Sequence, residues 1–447
     1  MDQAQRRRNS VIAVSIIGGL FFVFGFVTWL NGALIPFLTI ACELDHLQAY
    51  FVTLVFYIAY TVMALPMSMV LRRTGYKNGL ALGLLIMAIG ALIFLPAAML
   101  RTYGVFLAGL FVLGTGLTIL QTAANPYIVL IGPANTAAVR ISIMGLLNKG
   151  AGVVAPLVFT ALVLSDISQF TAAHMESLSP AERAVQLDEL SRRLIEPYLI
   201  MAAMLVLLAA YIRFSPLPDP ALSEEELASR QGRTVFRHPN LVLGAVTLFF
   251  YVGAEVVAGD TIALFGRDLG VANFGGLTAY TMAFMMCGYL LGVIAIPRWI
   301  TQERALVASA ALGIVLSILI LMGDVESDGI WQAVFAWTGF QAVPDAVLIV
   351  ALFGLANALV WPAVWPMALR GLNRAQTGTG SALLIMGIAG GAIIPVIFGA
   401  LTEYSVDPRV GYGVMLPCYL FILYYALAGH KLEQWTWRSA RTAAPTQ

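Results

Sequence analysis

The sequence predicts an all-α membrane protein of twelve transmembrane helices, arranged as two pseudo-symmetric six-helix bundles. Hydrophobic residues make up 60% of the 447 residues and charged residues only 11%, whereas about 25% of an average soluble domain is charged. Apolar windows of about 20 residues, the length that crosses a bilayer, occur twelve times. A polar segment rich in proline and charge separates the first six windows from the last six.

Each window is interpreted as one membrane-spanning helix. The spans are predicted at 15–41, 48–71, 79–100, 104–131, 138–165, 196–214, 239–265, 276–297, 304–322, 345–369, 378–402 and 412–429. The first span is too long for the core of a cleaved signal peptide, and no small-residue cleavage site follows a short apolar core. We therefore expect a retained N-terminus and a multi-pass protein in contact with membrane lipid.

The distribution of positive charge predicts the orientation. Of the 25 Lys and Arg residues, 18 fall on the side of the two termini, 6 fall on the other side, and Lys149 lies inside a span. Cytoplasmic loops carry the excess of Lys and Arg in membrane proteins. We expect both termini to be cytoplasmic, in a plasma membrane of the bacterial inner-membrane type.

The chain is predicted to divide into a first bundle at 1–214, a linker at 215–238 and a second bundle at 239–447. The segment NKGAGVVAPLVFTAL at 148–162 recurs as GIAGGAIIPVIFGAL at 387–401, a constant offset of 239 residues. Two six-span repeats joined by a linker describe the major facilitator architecture, in which the site lies between the halves near the midplane.

Glycines in the matched segments indicate how such halves move. Gly150, Gly152, Gly390 and Gly391 let helices approach closely and slide, at a cost in backbone entropy. We therefore expect alternating access by rocking of the two halves about the site.

The fourth span carries polar groups where hydrocarbon is expected. Gln121 and Asn125 are four residues apart in LQTAANPYIVLIGP and share one helix face. A side-chain amide in lipid is costly unless it is hydrogen-bonded, and Pro126 lets the helix bend beside the pair. The pair is expected to face a polar cavity; the alternative is a contact between helices.

Three charged residues lie inside predicted spans: Lys149 in the fifth, and Glu255 and Asp260 in the seventh. Such groups pair with one another or line water, because a charge near the bilayer centre is costly. Together they sum to −1, which suits a monovalent cation or a proton. The alternative is that Lys149 and Asp260 extend towards the two membrane surfaces.

The tenth span presents Asn357, Trp361 and Trp365 at intervals of four. Indole faces stack on the C–H faces of a sugar ring while amides bond its hydroxyls, so this face favours a neutral sugar. The alternative is that the two indoles are packing residues or interfacial anchors. Asn31 in the first span and Asn148 in the fifth add amides to the candidate site.

The chain resembles the fucose–galactose–glucose symporter family of the major facilitators. The resemblance rests on Phe21, Phe22, Leu30, Asn31, Leu34 and Pro36 in the first span, on QTAANPY at 121–127, and on YVGA at 251–254. It implies twelve spans and a sugar symporter. Gly32 and Gln121 stand where the proton-coupled fucose member has carboxylates, so those proton groups do not carry over. Asn148 falls on the family's fifth-span asparagine.

We predict import of a hexose by cation-coupled symport, the hexose being glucose, galactose or an amino sugar such as N-acetylglucosamine. The alternatives are a proton-coupled fucose-type carrier, an uncoupled carrier, or a sensor that binds sugar without moving it. The substrate site is predicted from Asn31, Gln121, Asn125, Asn148, Asn357, Trp361 and Trp365.

The coupling ion is predicted to be Na⁺ in preference to H⁺. Lys149, Glu255 and Asp260 are the predicted coupling residues, with Glu255 and Asp260 as the candidate Na⁺ ligands. Sodium needs several oxygen ligands, which nearby amides and backbone carbonyls supply, whereas a proton needs one buried carboxyl.

Other classes of function are not indicated. His46, His174, His238 and His430 lie in loops or at span ends, and no phosphate-binding glycine loop is present. We therefore expect no enzyme, no cofactor, no nucleic-acid partner and a monomeric carrier. The three cysteines match no metal or disulfide spacing.

Overall fold

The computed structural model describes residues 3–130, 137–164, 178–215, 236–296, 298–324, 327–338, 342–372, 380, 383–405 and 407–435. In spans one to six, which we call the first half, the described helices are α1 (Gln3–Trp29), α2 (Asn31–Ala41), α3 (His46–Ala49), α4 (Phe51–Leu100), α5 (Tyr103–Leu130), α6 (Ala137–Val163), α7 (Pro180–Arg192) and α8 (Ile195–Phe214).

In spans seven to twelve, the second half, the described helices are α9 (Pro239–Asp260), α10 (Ile262–Asp268), α11 (Leu277–Ala295), α12 (Gln302–Met322), α13 (Gly329–Phe335), α14 (Asp345–Asn357), α15 (Val360–Ala368), α16 (Gly390–Glu403) and α17 (Met415–Leu427). Short 3₁₀ turns lie at Phe274–Gly276, Ala336–Thr338, Gly387–Ala389, Pro408–Val414 and Gly429–Lys431. Nearly all of the predicted linker, including residues 216–235, lies outside the described residues.

Within the residues that the structure describes, twelve helical stretches are long and apolar enough to cross a membrane, which confirms the predicted number of spans. The second and third spans both lie in α4, which consists of two helices joined by a kink at Gly75. The φ of Gly75 is +76°, a conformation that side chains with a Cβ rarely adopt. The boundaries predicted for two separate domains stay a prediction.

The first, seventh and tenth predicted spans are each divided into two α-helices, near the middle of the first and tenth spans and near the end of the seventh. The breaks fall at Leu30 between α1 and α2, at Thr261 between α9 and α10, and at 358–359 between α14 and α15. Pro362 accounts for the last break, because it has no N–H to bond the carbonyl of residue 358. Discontinuous helices of this kind form binding sites in transporters.

The two halves touch at one end of the molecule. We call this end the loop face, which includes residues 41–50 and 404–405, and we call the end that includes residues 215 and 431 the terminal face. The Tyr50 and Phe398 rings meet edge to face across the halves at 5.3 Å. A Cβ on Gly32 would lie 3.0 Å from the carbonyl oxygen of Gly259. The halves are therefore closed against each other at the loop face.

A surface helix completes the loop face on the first half. Ser179 and Glu182 form a capping box at the start of α7, in which the backbone N–H of Ser179 donates to Glu182 at 3.0 Å. Arg183 pairs with Glu43 at 2.5 Å, and Arg101 pairs with Asp188 at 3.1 Å. These contacts hold α7 against the ends of the neighbouring spans.

Candidate functional site

A cavity of about 160 Å³ lies between the two halves near the middle of the spans. A single water needs about 10–15 Å³ of such space, so the cavity has room for several waters or a small polar solute. The residues that line it are Phe21, Phe24, Thr28, Trp29, Tyr57, Tyr60, Gln121, Met144, Gly145, Asn148, Lys149, Tyr251, Val252, Glu255, Val256, Tyr289, Trp361, Pro362 and Ile388.

A buried ion pair joins the halves in the cavity wall. Nζ of Lys149 lies 2.6 Å from Oε1 of Glu255, and the Tyr251 hydroxyl donates to the same oxygen at 2.9 Å. The Lys149 ammonium also lies 4.2 Å from the centroid of the Trp29 ring. Lys149 therefore does not extend to the membrane surface. The pair adds no net charge to the cavity, because each member neutralises the other.

Two of the predicted amides line the cavity and are held in position by hydrogen bonds. Asn148 accepts a bond from Nε1 of Trp29 at 3.4 Å and donates to the carbonyl oxygen of Phe21 at 3.3 Å. Nε2 of Gln121 donates to the Tyr60 hydroxyl at 3.1 Å. Each amide keeps hydrogen-bonding capacity for a solute, since an amide group offers two donors and two lone pairs.

Aromatic rings form much of the remaining wall. Trp361 lies 6.1 Å from Tyr251 and 5.5 Å from Trp365, measured between ring centroids. On the other half, Tyr57 and Tyr60 are stacked at 6.2 Å. Rings from both halves thus face the space in which a solute would lie.

Three of the predicted substrate residues lie elsewhere. Asn357 is buried behind the cavity, where its Oδ1 accepts a bond from Tyr419 at 2.9 Å. Asn31 is 2% exposed and does not line the cavity, and Trp365 reaches it only through Trp361. The side chains of Asn125 and Pro126 lie outside what the structure describes, and the backbone of α5 is helical through both positions.

The predicted cluster of three charges is split. Asp260 is 0% exposed, and neither of its carboxylate oxygens has a hydrogen-bond partner among the described residues. It does not line the cavity, although the charges of Glu255 and Lys149 act on it. Within the described ranges, no three His, Cys, Asp or Glu residues are grouped so as to hold a metal ion.

Several aromatic residues of the site were not predicted from sequence: Trp29, Tyr57, Tyr60 and Tyr289. Tyr57 and Tyr60 are three residues apart, so they share one face of the second span, and that spacing is visible in the sequence. Trp29 carries no such signal, because its role depends on Lys149 and Asn148 from another helix.

The site as a whole combines amides, aromatic faces and a neutralised ion pair in a cavity between two halves. This combination has the chemistry that suits a neutral, hydroxyl-rich solute. Hydroxyls need amide and hydroxyl partners, and the apolar faces of a sugar ring need flat aromatic surfaces.

Comparison with known proteins places this chain in a family. The model of the Major Facilitator Superfamily matches residues 17–395. The glucose/galactose transporter of Brucella abortus is 33% identical over 434 residues, which cover 96% of this chain and 97% of that protein. The L-fucose-proton symporter of Escherichia coli is 24% identical over 437 residues, covering 95% and 94%.

Solved structures show the same fold. The Escherichia coli fucose:proton symporter matches with a TM-score of 0.70 at 22% identity, covering 94% of this chain and 98% of that one. A D-xylose-proton symporter matches with a TM-score of 0.67 at 14% identity, over 94% and 98%.

The chain belongs to the Major Facilitator Superfamily. Within the superfamily it is a multi-pass sugar transporter, related to the glucose/galactose transporters and L-fucose-proton symporters, and not an enzyme.

Proposed function

We propose that the protein imports a neutral hexose of the glucose or galactose type together with a proton, by alternating access. The observation that carries the proposal is the cavity between the halves, in which Gln121, Asn148 and Trp361 face one space beside the Lys149–Glu255 pair. Two relatives are named for glucose and galactose, the one from Brucella abortus and one from Helicobacter pylori that is 30% identical.

The neutral charge of the cavity supports a neutral substrate. A sugar acid or a sugar phosphate would bring an anion next to an ion pair that has no spare positive charge. A hexose brings only hydroxyls, for which Gln121 and Asn148 are suitable partners. The Trp361 indole offers a flat face for the ring.

A proton is proposed here instead of the sodium ion that the sequence favoured. Two relatives whose names include the ion are proton symporters. Sodium would need several free oxygen ligands, but Oε1 of Glu255 already accepts from an ammonium and a hydroxyl. A proton needs only one carboxyl group.

The orientation and the working cycle are part of the same proposal. The excess of Lys and Arg on the terminal face supports a cytoplasmic terminal face, so the loop face would be the outside. The structure would then represent the state closed to the outside. Rocking of residues 1–214 against residues 239–447, joined by the linker at 215–238, would open the loop face, with one chain as the transporting unit.

Uptake by proteoliposomes tests this proposal. We expect labelled glucose or galactose to accumulate when the outside is acidic and Na⁺ is absent, and accumulation to stop when the pH gradient is collapsed. Accumulation driven by Na⁺ with the pH gradient collapsed would show that the coupling ion is sodium and not a proton. Binding without accumulation would indicate a sensor, and competition by glucose, galactose, fucose and N-acetylglucosamine would identify the preferred sugar.

A further inference from the structure

We propose that Asp260 is the residue that binds the coupling proton, and that its occupancy controls closure of the loop face. The inference rests on the proposed proton coupling, and it assigns the proton to a group outside the sugar cavity. Glu255 is the other acid of the seventh span, but it is already neutralised by Lys149.

The position of Asp260 links it to the contact between the halves. It is the last residue of α9, and the chain breaks at Thr261 before α10 begins. The preceding Gly259 carbonyl accepts a bond from Thr278 at 2.8 Å, and Gly32 of the first half packs against that carbonyl. Asp260 therefore lies at the crossing where the two halves close on each other.

Thr261 ties the same point to the closing aromatic residues. Its hydroxyl lies 2.9 Å from the Tyr412 hydroxyl, and Tyr412 packs on Phe398 at 4.8 Å between ring centroids. Phe398 in turn meets Tyr50 of the first half. A displacement of the end of α9 is thus transmitted to the residues that seal the loop face.

The charged form of Asp260 is incompatible with this closed arrangement. The side chain is fully buried, and both oxygens lack a partner among the described residues. An ionised carboxylate in such a place costs several kcal/mol in effective desolvation. A protonated carboxyl carries no charge, so the closed state requires that Asp260 hold a proton.

The groups around Asp260 do not remove that cost. The charges acting on it are those of Glu255 on its own helix and Lys149 on α6, and these two neutralise each other. From the first half, Tyr50 and Tyr57 are the titratable groups that interact with it. The hydroxyl of Tyr57 is buried and lacks a hydrogen-bond partner in the described part of the chain.

Opening of the loop face would change which form of Asp260, ionised or protonated, is favoured. Separation of the halves at Gly32 and Gly259 would admit water to Asp260 and hydrate its charge. The ionised form would therefore be favoured in the open state and the protonated form in the closed state. A group whose proton affinity differs between two conformations couples the proton to the conformational change, as linkage requires.

The proton then has to leave on the other side. Glu255 lies five residues before Asp260 on α9, a rise of about 7.5 Å, and it lines the cavity. Water entering the cavity after sugar release can therefore approach Asp260 from the cavity side. The proton passes from the carboxyl to that water, which also hydrates the carboxylate from the cavity side. The ionised Asp260 then favours reopening of the loop face.

A distance measurement tests whether Asp260 controls closure of the loop face, and it does not rely on transport. Spin labels at Val185→Cys and Tyr404→Cys, which are 66% and 87% exposed on opposite halves at the loop face, report its opening after Cys42, Cys287 and Cys418 are replaced by serine. We expect raised pH to shift the distance distribution towards longer values, because Asp260 ionises. A distribution that does not respond to pH would overturn the proposal, even if the protein transports hexose.

The variant Asp260→Asn mimics the protonated form. We expect its distance distribution to lose its dependence on pH and to match that of the unmodified protein at low pH, and we expect accumulation driven by a pH gradient to be lost. A label pair within the first half, Val185→Cys with Met99→Cys, should not respond to pH.

A matched carboxylate serves as the control variant. Asp188→Asn removes a charge that is half exposed and pairs with Arg101 on the same face, so it should keep driven accumulation and the pH-dependent distance. If Asp260→Asn accumulates sugar against the gradient as the unmodified protein does, Asp260 is not the proton site. A distance distribution in Asp260→Asn that still responds to pH would also count against it.

Discussion

Glu255 and Asp260 lie on the same helix, five residues apart, yet their surroundings differ. Glu255 faces the cavity and has two hydrogen-bond partners, Lys149 and Tyr251. Asp260 lies at the closed loop face and has none among the described residues. Burial is nearly the same for both, so partners and not depth distinguish an acid that shapes a binding site from one that can respond to a proton.

The same difference separates the two regions around these acids. In the cavity, the two amides and the ion pair are held by bonds that do not involve a solute, and of the polar groups in its wall the Tyr57 hydroxyl lacks a partner among the described residues. At the closing contact, Nδ2 of Asn31 and both carboxylate oxygens of Asp260 lack a partner in the described part of the chain. Changes in the cavity should therefore act on stability and affinity, and changes at the loop face on the opening of the carrier.

The largest effect on stability is expected when Glu255 in the cavity is left without a partner, as Asp260 is among the described residues at the loop face. Lys149→Met leaves Glu255 buried without its cation, which costs about 3–5 kcal/mol when one partner of a buried pair is removed. We expect a large drop in the unfolding temperature and loss of sugar binding. The double variant Lys149→Met with Glu255→Gln should recover most of the unfolding temperature but not the binding. Equal stability of the single and double variants would show that the pair is not needed to neutralise the cavity.

The next largest effect, on the rate of transport, is expected from glycines at the contacts between the two halves. A Cβ at Gly152 would lie 2.8 Å from Cγ of Met282, and one at Gly391 would lie 3.1 Å from Tyr57, in each case on the opposite half. Gly152→Leu and Gly391→Leu should slow transport about tenfold or more while leaving sugar binding largely unchanged, because closure limits the cycle. Gly150 meets only the Met286 methyl at 3.9 Å, so Gly150→Leu should transport normally. Uptake rates at wild-type level in both Gly152→Leu and Gly391→Leu would refute the role in gating.

The sequence was sufficient for the spans because bilayer thickness sets their length, and every predicted apolar window corresponds to a crossing stretch. Lys149 and Glu255 were identifiable because charges are rare inside such windows. The break at Thr261 was not, since no proline lies beside it and Gly259 is one of several glycines in that span. Asn357 was placed in the site by its spacing to Trp361, but spacing within one helix does not show that Tyr419 of another helix takes up its amide.

An intermediate effect is expected from the cavity amides. Gln121→Ala with Asn148→Ala removes two groups that bond a sugar, worth about 1–3 kcal/mol together. We expect sugar affinity, measured by calorimetry, to fall about 5- to 150-fold. Asn357→Ala is the control, because Asn357 lies behind the cavity; it should lower the unfolding temperature and leave affinity unchanged. A loss of affinity in Asn357→Ala equal to that of the double variant would show that Asn357 contributes to sugar binding.

The smallest effect is expected from a single apolar contact at the loop face. Tyr50→Leu removes the edge-to-face contact with Phe398, which is worth about 0.5–1.5 kcal/mol beyond its buried area. The contact exists only when the halves are closed, so its loss should favour the open state about two- to tenfold, seen as a larger long-distance fraction between labels at 185 and 404. Tyr198→Leu removes a stacked ring contact with Phe94 inside the first half, and it should lower stability without changing that fraction. If Tyr50→Leu leaves the distribution unchanged while Asp260→Asn abolishes its dependence on pH, closure depends on the carboxyl group and not on the contact between Tyr50 and Phe398.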